Sequence, residues 1–129
     1  MARFWYSLHQ GLQANTKSTE WVEIPNFNRL AIELKHPAKL LLTLNVPDTG
    51  SSKAGDFNSF ALVVQNQVVA DGVYQSAIAN QRVPIAISTV KELWVGNHSI
   101  AAKWKTKEGS DLWIGATGTA ILSARRVIV

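Results

Sequence analysis

Apolar residues recur at every second position along most of this chain, and that period constrains the fold more than any other feature. Leu30, Ile32 and Leu34, for example, alternate with more polar neighbours. Side chains on a β-strand point to opposite faces in turn, so this spacing gives one dry face and one wet face. No window carries the i, i+3, i+4, i+7 stripe of an amphipathic helix. The sequence therefore predicts an all-β domain.

Turn-forming residues divide the chain into about eight to ten short strands. Pro37 interrupts the chain after the 30–34 strand, because proline cannot donate to a β-ladder. The polar residues 47–58 predict one long loop, residues 77–81 predict a second loop, and Gly96-Asn97 predicts a turn. Further strands are predicted at residues 39–46, 60–64, 68–74, 83–90, 112–116 and 117–124. Short strands separated by regular turns are typical of an antiparallel β-sandwich or barrel.

The length and composition exclude several classes of protein. A chain of 129 residues, 47% of them hydrophobic, predicts one domain over residues 1–129 with a single core. The absence of cysteine excludes a disulfide framework, a thiolate zinc site and a cysteine nucleophile. No apolar run is long enough for a membrane span. The net charge of +4 permits an anionic partner without requiring one.

The first residues, MARFWYSLHQGLQ, contain neither a continuous apolar segment nor a small-residue cleavage site. They do not resemble a secretory signal peptide. Together with the absence of cysteine, this favours a cytoplasmic location. Release from the cell, or exposure at its surface, by a route that needs no signal peptide is left open.

The residues that could support catalysis are scattered. His9, His36 and His98 lie in three separate contexts, and no pair has the spacing of a metal site. There is no GxSxG sequence for a nucleophilic serine, and no glycine-rich loop precedes a helix that could hold phosphate. We therefore expect neither an enzyme nor a bound metal or cofactor.

A row of lysines raises the possibility of nucleic-acid binding. Lys103, Lys105 and Lys107 occupy alternate positions of one predicted strand and therefore share a face. An oligonucleotide-binding sheet combines such charges with exposed aromatic rings. Trp104 lies between the lysines and must point to the opposite face, so we expect a solvated lysine face with Trp104 in the core. Nucleic acid is accordingly not the expected partner.

Several aromatic residues stand beside predicted turns. Trp94 precedes Gly96-Asn97, Tyr74 precedes the second loop, and Trp113 follows Gly109-Ser110. Aromatic rings next to polar loops suit sugar recognition, because a ring packs on the apolar face of a pyranose while polar side chains bind its hydroxyls. The alternative for each ring is packing in the core.

From Trp21 onward, a series of short segments resembles the bacterial fucose-binding lectin domains with the tumour-necrosis-factor-like (TNF-like) jelly roll. The segments are Trp21-Val-Glu-Ile-Pro25, Leu44-Asn-Val-Pro47, Phe60-Ala61, Val68-Val-Ala-Asp-Gly72, Arg82-Val-Pro84 and Lys103-Trp-Lys105 with Gly109-Ser110. Their order and spacing match over roughly residues 20–124. The resemblance implies a TNF-like jelly roll. Related jelly rolls also occur in complement globular heads and in phage-associated proteins, so the fold is implied better than the ligand.

The resemblance also implies a homotrimer that binds fucosylated glycans in clefts between neighbouring protomers. The ligand-binding residues that it implies are Tyr74, Ser76, Asn80, Gln81 and Arg82 on one side, with Glu108 and the segment Gly115-Ala116-Thr117 on the partner side. Glu108 stands where the family has a second arginine, and the family's tyrosines are absent from residues 47–59. The fold is therefore implied more strongly than fucose as the ligand. A structural or appendage protein on the same fold, or a basic nucleic-acid-binding domain, remains the alternative.

Arg82 is the residue that we expect to contribute most to binding, because its planar guanidinium can donate to two adjacent sugar oxygens. The alternative is that Arg82 only ties its loop to a nearby carboxylate such as Asp71. A separate argument supports assembly. The segment Phe4-Trp5-Tyr6 is apolar on both faces, so we expect a second surface to bury the face that the core does not use. The other reading is that one protomer covers both faces itself.

Overall fold

A computed structural model describes residues 4–10 and 13–127, and every regular element in them is a β-strand. The strands pair antiparallel throughout and form two sheets. The predicted all-β class and the antiparallel β-sandwich are confirmed. The strands are β1 (Phe4–Leu8), β2 (Ala14–Thr16), β3 (Val22–Glu23), β4 (Leu30–Leu34), β5 (Ala38–Ser51), β6 (Phe57–Val64), β7 (Gln67–Gln75), β8 (Val83–Leu93), β9 (Gly96–Thr106), β10 (Leu112–Ile114) and β11 (Ile121–Arg126).

The first sheet is built around the long strand β5. Strand β8 pairs along one edge of β5, while β11 and then β10 pair along the other edge. Strand β1 extends the sheet beyond β11, and β2 extends it beyond β10. The last residues of β5 therefore lie in a short corner together with β10 and β2, and this corner carries the candidate site described below.

The second sheet is built around β9. Strand β6 pairs along one edge of β9, and the short strands β3 and β4 pair along the other. Strand β7 pairs with β6 and forms an outer edge of the sheet. One broad face of this sheet packs on the core, and the other is the lysine face predicted from the sequence.

The core lies between the two sheets and is filled by the inward residues of each alternating strand. Trp104 and Phe60 are fully buried there, with their ring centroids 6.0 Å apart. Burying aromatic and aliphatic side chains of this size stabilises the fold by about 1.5–3 kcal/mol each. The predicted core position of Trp104 is confirmed.

The predicted end of the central strand is wrong. The sequence Pro47-Asp48 was expected to close the strand and open a loop over residues 47–58, but β5 continues to Ser51. Its register against β8 shifts between Val46 and Thr49, so a bulge accommodates the proline and the aspartate. Bulges of this kind redirect side chains without ending a strand. Pairing with β10 then holds the segment in the sheet.

Two other boundaries also differ from prediction. The turn expected at Gly96-Asn97 lies instead at Trp94 and Val95, because Gly96 already pairs with Leu34 as the first residue of β9. The strand expected over residues 117–124 begins only at Ile121. The loop predicted at residues 77–81 is confirmed and connects β7 to β8.

Strand β1 alternates as its sequence predicts. Trp5 packs against the core, while Phe4, Tyr6 and Leu8 point outward and are 55%, 62% and 38% exposed. The rings of Phe4 and Tyr6 stack on each other with centroids 5.7 Å apart. The reading in which one protomer covers both faces of this strand is therefore wrong for the described residues. Burial by a neighbouring copy stays a prediction.

The alternation around Trp104 predicts a lysine face without aromatic rings, but the structure places two rings on this face. Trp21 lies beside Lys105 and packs on Ala61, Val63 and Ala101, on the outer side of the sheet. Phe57 likewise reaches this face from β6. The expectation that aromatic and cationic side chains occupy opposite faces is wrong, because neighbouring strands supply rings that the lysine strand itself does not.

Candidate functional site

A cleft of about 620 Å³ opens at the corner of the first sheet where β5, β10 and β2 meet. The loop between β7 and β8 contributes one wall. The residues that line the cleft are Gln13, Ala14, Asn15, Arg82, Asp111, Trp113, Ile114 and Gly115. The side chains around it combine an aromatic ring, an arginine, an amide and a carboxylate, which are the groups that sugar-binding sites commonly use.

Trp113 lies flat at the bottom of this corner. In the β-ladder it is opposite Gly50 on one side and Asn15 on the other. Its indole nitrogen donates a hydrogen bond to Oδ1 of Asn80 at 3.0 Å, and its carbonyl accepts one from the Thr49 hydroxyl at 2.6 Å. Both the ring and the backbone of Trp113 are therefore held in place before any ligand is present.

Arg82 covers the exposed side of this ring. Its guanidinium carbon is 5.3 Å from the centroid of the Trp113 ring, and its Nη1 donates to Oδ2 of Asp48 at 2.5 Å. The arginine side chain is nevertheless 62% exposed. The contact with Asp48 uses one of its five N–H groups, and the remainder can bind a ligand. The alternative partner Asp71 is wrong, since the carboxylate that Arg82 contacts is Asp48.

Asp48 is buried, and several groups converge on it. Its side chain is 5% exposed, and Oδ2 also accepts a hydrogen bond from the backbone N–H of Thr117 at 3.2 Å. The backbone carbonyl of Asp48 accepts another from the N–H of Gly115 at 3.0 Å. The bulge in β5 thus joins the segment after β10 to the loop that carries Arg82.

Two glycines make these contacts possible by leaving room rather than by turning the chain. A Cβ atom at Gly50 would collide with the indole of Trp113, whose Cε2 would lie only 2.7 Å away. A Cβ atom at Gly115 would collide with the carboxylate of Asp48 and would lie 3.1 Å from Nη1 of Arg82. Real Cβ atoms do not approach backbone-held groups this closely, so any larger residue at either position must displace the ring or the ion pair.

The opposite wall of the cleft supplies an acceptor. Nδ2 of Asn15 donates to Oδ1 of Asp111 at 2.8 Å, and the backbone N–H of Asp111 donates to the Ser52 hydroxyl at 2.9 Å. Asp111 is therefore fixed in position, with its second oxygen outside this contact. The cleft presents hydrogen-bond donors from Arg82 and acceptors from Asp111.

The structure brings some of the predicted ligand residues together. Arg82 lines the cleft, Asn80 holds the Trp113 indole, and Thr117 contacts Asp48 through its backbone. Gln81 instead accepts a hydrogen bond from the N–H of Ala77 at 3.0 Å and so braces its own loop.

Gly115 of the predicted partner-side segment also lines the cleft, but Tyr74, Ser76 and Glu108 do not. Tyr74 is half-buried against the core, and this burial raises the pKa of its phenol. Ser76 is buried, and its hydroxyl has no hydrogen-bond partner among the described residues. Glu108 forms an ion pair with Lys53 at 2.5 Å.

Sequence reasoning missed most of the carboxylates and amides of the site. Asp48 was assigned to a turn, and Asn15 and Asp111 were given no role. Trp113 was noted only as a ring beside a turn. The one signal that could have found the site is Gly50, a glycine inside a segment that proves to be a strand, since such glycines often mark a close approach of another group.

Among residues 4–10 and 13–127, no group of three or more His, Cys, Asp or Glu side chains could hold a metal ion. The same residues contain no helix that is long and apolar enough to cross a membrane. What the cleft offers chemically is a fixed set of donors and acceptors around one aromatic ring.

Comparisons with known proteins define the fold. No protein-family model and no curated protein matches this chain. Among solved structures, the chain is similar to the Eiger TNF of S. frugiperda, with a TM-score of 0.65 over 98% of this chain and 94% of that chain. The two sequences are 9% identical, so the likeness concerns the fold alone. The predicted TNF-like jelly roll is confirmed, and it is the fold on which this chain carries the cleft around Trp113 and Arg82.

Proposed function

We propose that this protein is a non-catalytic carbohydrate-binding protein, a trimer that binds a glycan at the cleft around Trp113 and Arg82. The observation that carries the proposal is the position of Arg82. Asp48 and Trp113 hold its guanidinium in place, most of the side chain remains exposed, and it lines the same cleft as the carboxylate of Asp111.

The chemistry of the cleft favours a ligand that both donates and accepts hydrogen bonds. Sugar hydroxyls do both, so adjacent hydroxyls can accept from Arg82 and donate to Asp111 at the same time. Hydrogen bonds to charged groups contribute about 1.5–3 kcal/mol each when water is excluded. Because the arginine is already oriented, little side-chain entropy is lost when a ligand binds.

The carboxylates near Arg82 argue against a strongly anionic ligand. Asp48 already neutralises the guanidinium, and Asp111 lines the opposite wall. A phosphate or sulfate in the cleft would therefore face a negative charge. A neutral saccharide avoids that repulsion, and we expect the cleft to prefer one. The resemblance to fucose-binding lectins makes a fucosylated glycan the first candidate.

The outer face of the first sheet supports assembly. The rows at its centre run from β1 through β11 and β5 to β8 and contain one charged side chain, Arg125, among apolar and small polar residues, while Lys39 and Glu92 lie opposite each other in the next row. The rows are Leu8–Ile121–Asn45–Ala86, Tyr6–Ser123–Thr43–Ser88 and Phe4–Arg125–Leu41–Val90. An exposed face with so little charge is typical of a protein interface.

Binding is tested on a glycan array that includes fucosides, galactosides and mannosides, followed by calorimetry with the best ligand. Arg82→Ala is expected to weaken binding about ten- to a hundredfold, since it removes charge-assisted hydrogen bonds. Arg29→Ala is the matched control, because Arg29 also pairs with a carboxylate, Glu23, but lies outside the cleft. Silence across the array, with folded protein, overturns the proposal and favours a structural role.

Assembly is tested by light scattering at micromolar concentrations. We expect a mass three times the 14.2 kDa of one chain. Tyr6→Glu places a charge on the β1 side of this face and is expected to give monomers that keep the same far-UV spectrum. A wild-type mass of 14.2 kDa across the concentration range would rule out the trimer.

A further inference from the structure

The outer face of the second sheet carries a row of lysines with an aromatic ring on each side. Lys105 on β9 has Trp21 as its neighbour on the β3 side, with its ammonium 4.4 Å from the ring centroid. Lys107 has Phe57 as its cross-strand neighbour on β6, with its ammonium 5.1 Å from that ring. A groove of about 340 Å³ is lined by Lys105, Lys107 and Phe57.

The acidic side chains on this face leave two of the lysines without a partner. Lys103 lies opposite Glu23 in the β-ladder, and Glu23 already forms an ion pair with Arg29. Asp71 lies on β7, opposite Ala61 and one strand further away from β9. Within the described part of the chain, Lys105 and Lys107 form no ion pair. The centre of the face is therefore positive.

The groove beside the lysines is largely apolar. Phe57 and Val73 are 40% and 57% exposed, and both line it. The lysines stand two residues apart on one strand, so their Cα atoms are about 6.6–6.8 Å apart along the face. The face thus joins a regular row of positive charges to exposed flat and apolar surface.

We propose that this lysine face, formed by Trp21, Phe57, Lys103, Lys105 and Lys107, is a binding surface for single-stranded nucleic acid. The ammonium groups would contact successive phosphates, and the two rings would stack on unpaired bases. Stacking of this kind tolerates any sequence, because every base has a flat face. This surface lies on the opposite sheet from the glycan cleft, so the proposal does not depend on the proposed function.

The rings are the reason to choose a single strand over other polyanions. In a duplex the bases are paired and stacked on one another, so Trp21 and Phe57 would gain nothing from contact with it. A sulfated polysaccharide would satisfy the lysines but has no flat aromatic face for the rings. Only an unpaired strand uses both halves of the surface.

The contacts seen without a ligand do not block such binding. A lysine above an aromatic ring at an exposed site is held weakly. A phosphate can therefore draw the ammonium of Lys105 away, and the same movement uncovers the ring of Trp21 for a base. Until then the ring keeps the lysine extended over the groove, so the charges are already arranged along the face.

The test measures the binding of a labelled 12-nucleotide oligo(dT) to the full chain by fluorescence anisotropy at 20–200 mM salt. Two or three phosphate contacts predict a slope of log K against log salt of about −1.4 to −2.1. The double variant Lys105→Gln, Lys107→Gln should reduce the slope by about 1.4. Lys35→Gln with Lys91→Gln, which removes two exposed lysines that lie outside the lysine face, is the matched control and should change neither slope nor affinity.

Variants of Trp21 and Phe57 measure the contribution of base stacking separately from that of the lysines. Trp21→Leu should weaken binding about tenfold at every salt concentration while leaving the slope unchanged. Trp21→Phe should restore most of the affinity. Because Trp21 also packs on the sheet, Phe57→Leu provides a second measurement at a more exposed ring.

Three results would each overturn the proposal. One is the absence of oligo(dT) binding at 20 mM salt. Another is equal affinity for the single strand and for a duplex of the same length. The third is binding of oligo(dT) that both Trp21→Leu and Phe57→Leu leave unchanged, since the surface would then act through charge alone.

Discussion

Asp48 lies near the end of β5 and Asp56 directly precedes β6, and both are almost completely buried. Asp48 pairs with an arginine that is 62% exposed. Asp56 contacts no cation among the described residues and instead accepts hydrogen bonds from the Ser110 hydroxyl, the Ser110 N–H and the Glu108 N–H. One carboxylate is thus linked to solvent through its partner, and the other is enclosed by neutral donors.

This difference distinguishes an aspartate in a candidate binding site, Asp48, from an aspartate that stabilises the fold, Asp56. Arg82 can accept a ligand because water already reaches it, so Asp48 forms part of a surface that can bind. Asp56 fixes the turn before β10 from the inside, and two of its donors are backbone N–H groups, those of Glu108 and Ser110. Each of the following measurements tests whether these two roles are as distinct as the geometry indicates.

The largest effect is expected for Asp56→Ala. It leaves the backbone N–H groups of Glu108 and Ser110 without their acceptor and removes one acceptor of the Ser110 hydroxyl, so the free energy of unfolding should fall by about 3 kcal/mol or more. Urea denaturation measures the change. Asp71→Ala on the exposed strand β7 is the control and should stay within about 0.5 kcal/mol of the wild type. Equal effects of the two variants would contradict the anchoring role.

A smaller loss is expected for Asp48→Ala. The Thr117 N–H loses its acceptor, but Arg82 regains contact with water, so the cost should be about 1–2 kcal/mol. The variant should also reduce glycan affinity, because the guanidinium is no longer oriented. A cost as large as that of Asp56→Ala would show that the two aspartates play the same role.

The free energy of unfolding should also depend on pH, and part of that dependence should come from the ionisation of Asp56. Burial alone raises the pKa of this carboxyl, but the hydrogen bonds from Ser110, Glu108 and Phe57 outweigh it and hold the pKa below the ordinary value of 3.8. A depressed carboxyl pKa stabilises the fold fully above pH 3.8, and that contribution is lost as the pH falls toward the folded pKa. The slope from one group is at most about 1.4 kcal/mol per pH unit.

The variant Asp56→Asn isolates this contribution, since it cannot ionise. Its unfolding free energy should decline less than that of the wild type below pH 3.8, and the remaining decline should come from groups such as Glu23, whose pKa is lowered by the hydrogen bond from Arg29. His9 adds a separate decline at higher pH, because burial lowers its pKa from 6.5 and its neutral form is favoured in the fold. That contribution is lost as the pH falls below 6.5, and it should be present in both proteins. Identical curves below pH 3.8 would contradict the prediction.

The smallest change in stability is expected for Arg82→Ala. An ion pair with one partner largely in water contributes about 0–1 kcal/mol, so the unfolding free energy should hardly change. Glycan binding measured on the same sample should nevertheless fall. A clear loss of stability with unchanged affinity would assign Arg82 to the same structural role as the donors around Asp56.

Strand periodicity was enough to predict the sandwich and its core. The alternation around Trp104 placed that ring inward, and the alternation in β4 gave its buried face. The end of β5 could not be predicted, because Pro47 and Asp48 read locally as a turn. What keeps them in the sheet is pairing with β8 and β10 on both edges, and that pairing is a property of the tertiary structure.

The candidate site was predictable only in part for a related reason. Arg82 and Asn80 follow from the family resemblance, but the carboxylate that orients Arg82 lies 34 residues away in the chain. Glu108 was expected at the ligand, yet it pairs with Lys53. Nothing in the local sequence distinguishes an aspartate that will face an arginine from one that will be enclosed by serine and backbone donors.

The contact between Gly50 and Trp113 restricts how this protein can change by mutation. Any side chain at position 50 displaces the Trp113 indole from its position against β5. Arg82 then loses the ring on which its guanidinium packs. A substitution of Gly50 therefore abolishes the cleft in one step. A smaller residue at position 113 instead leaves Gly50 in place with an unfilled space beside it. Lineages can lose this site easily, and they can regain it only while the glycine persists. Glycine at position 50 together with tryptophan at position 113 thus becomes a two-residue signature for sorting distant homologues into those that kept the cleft and those that did not.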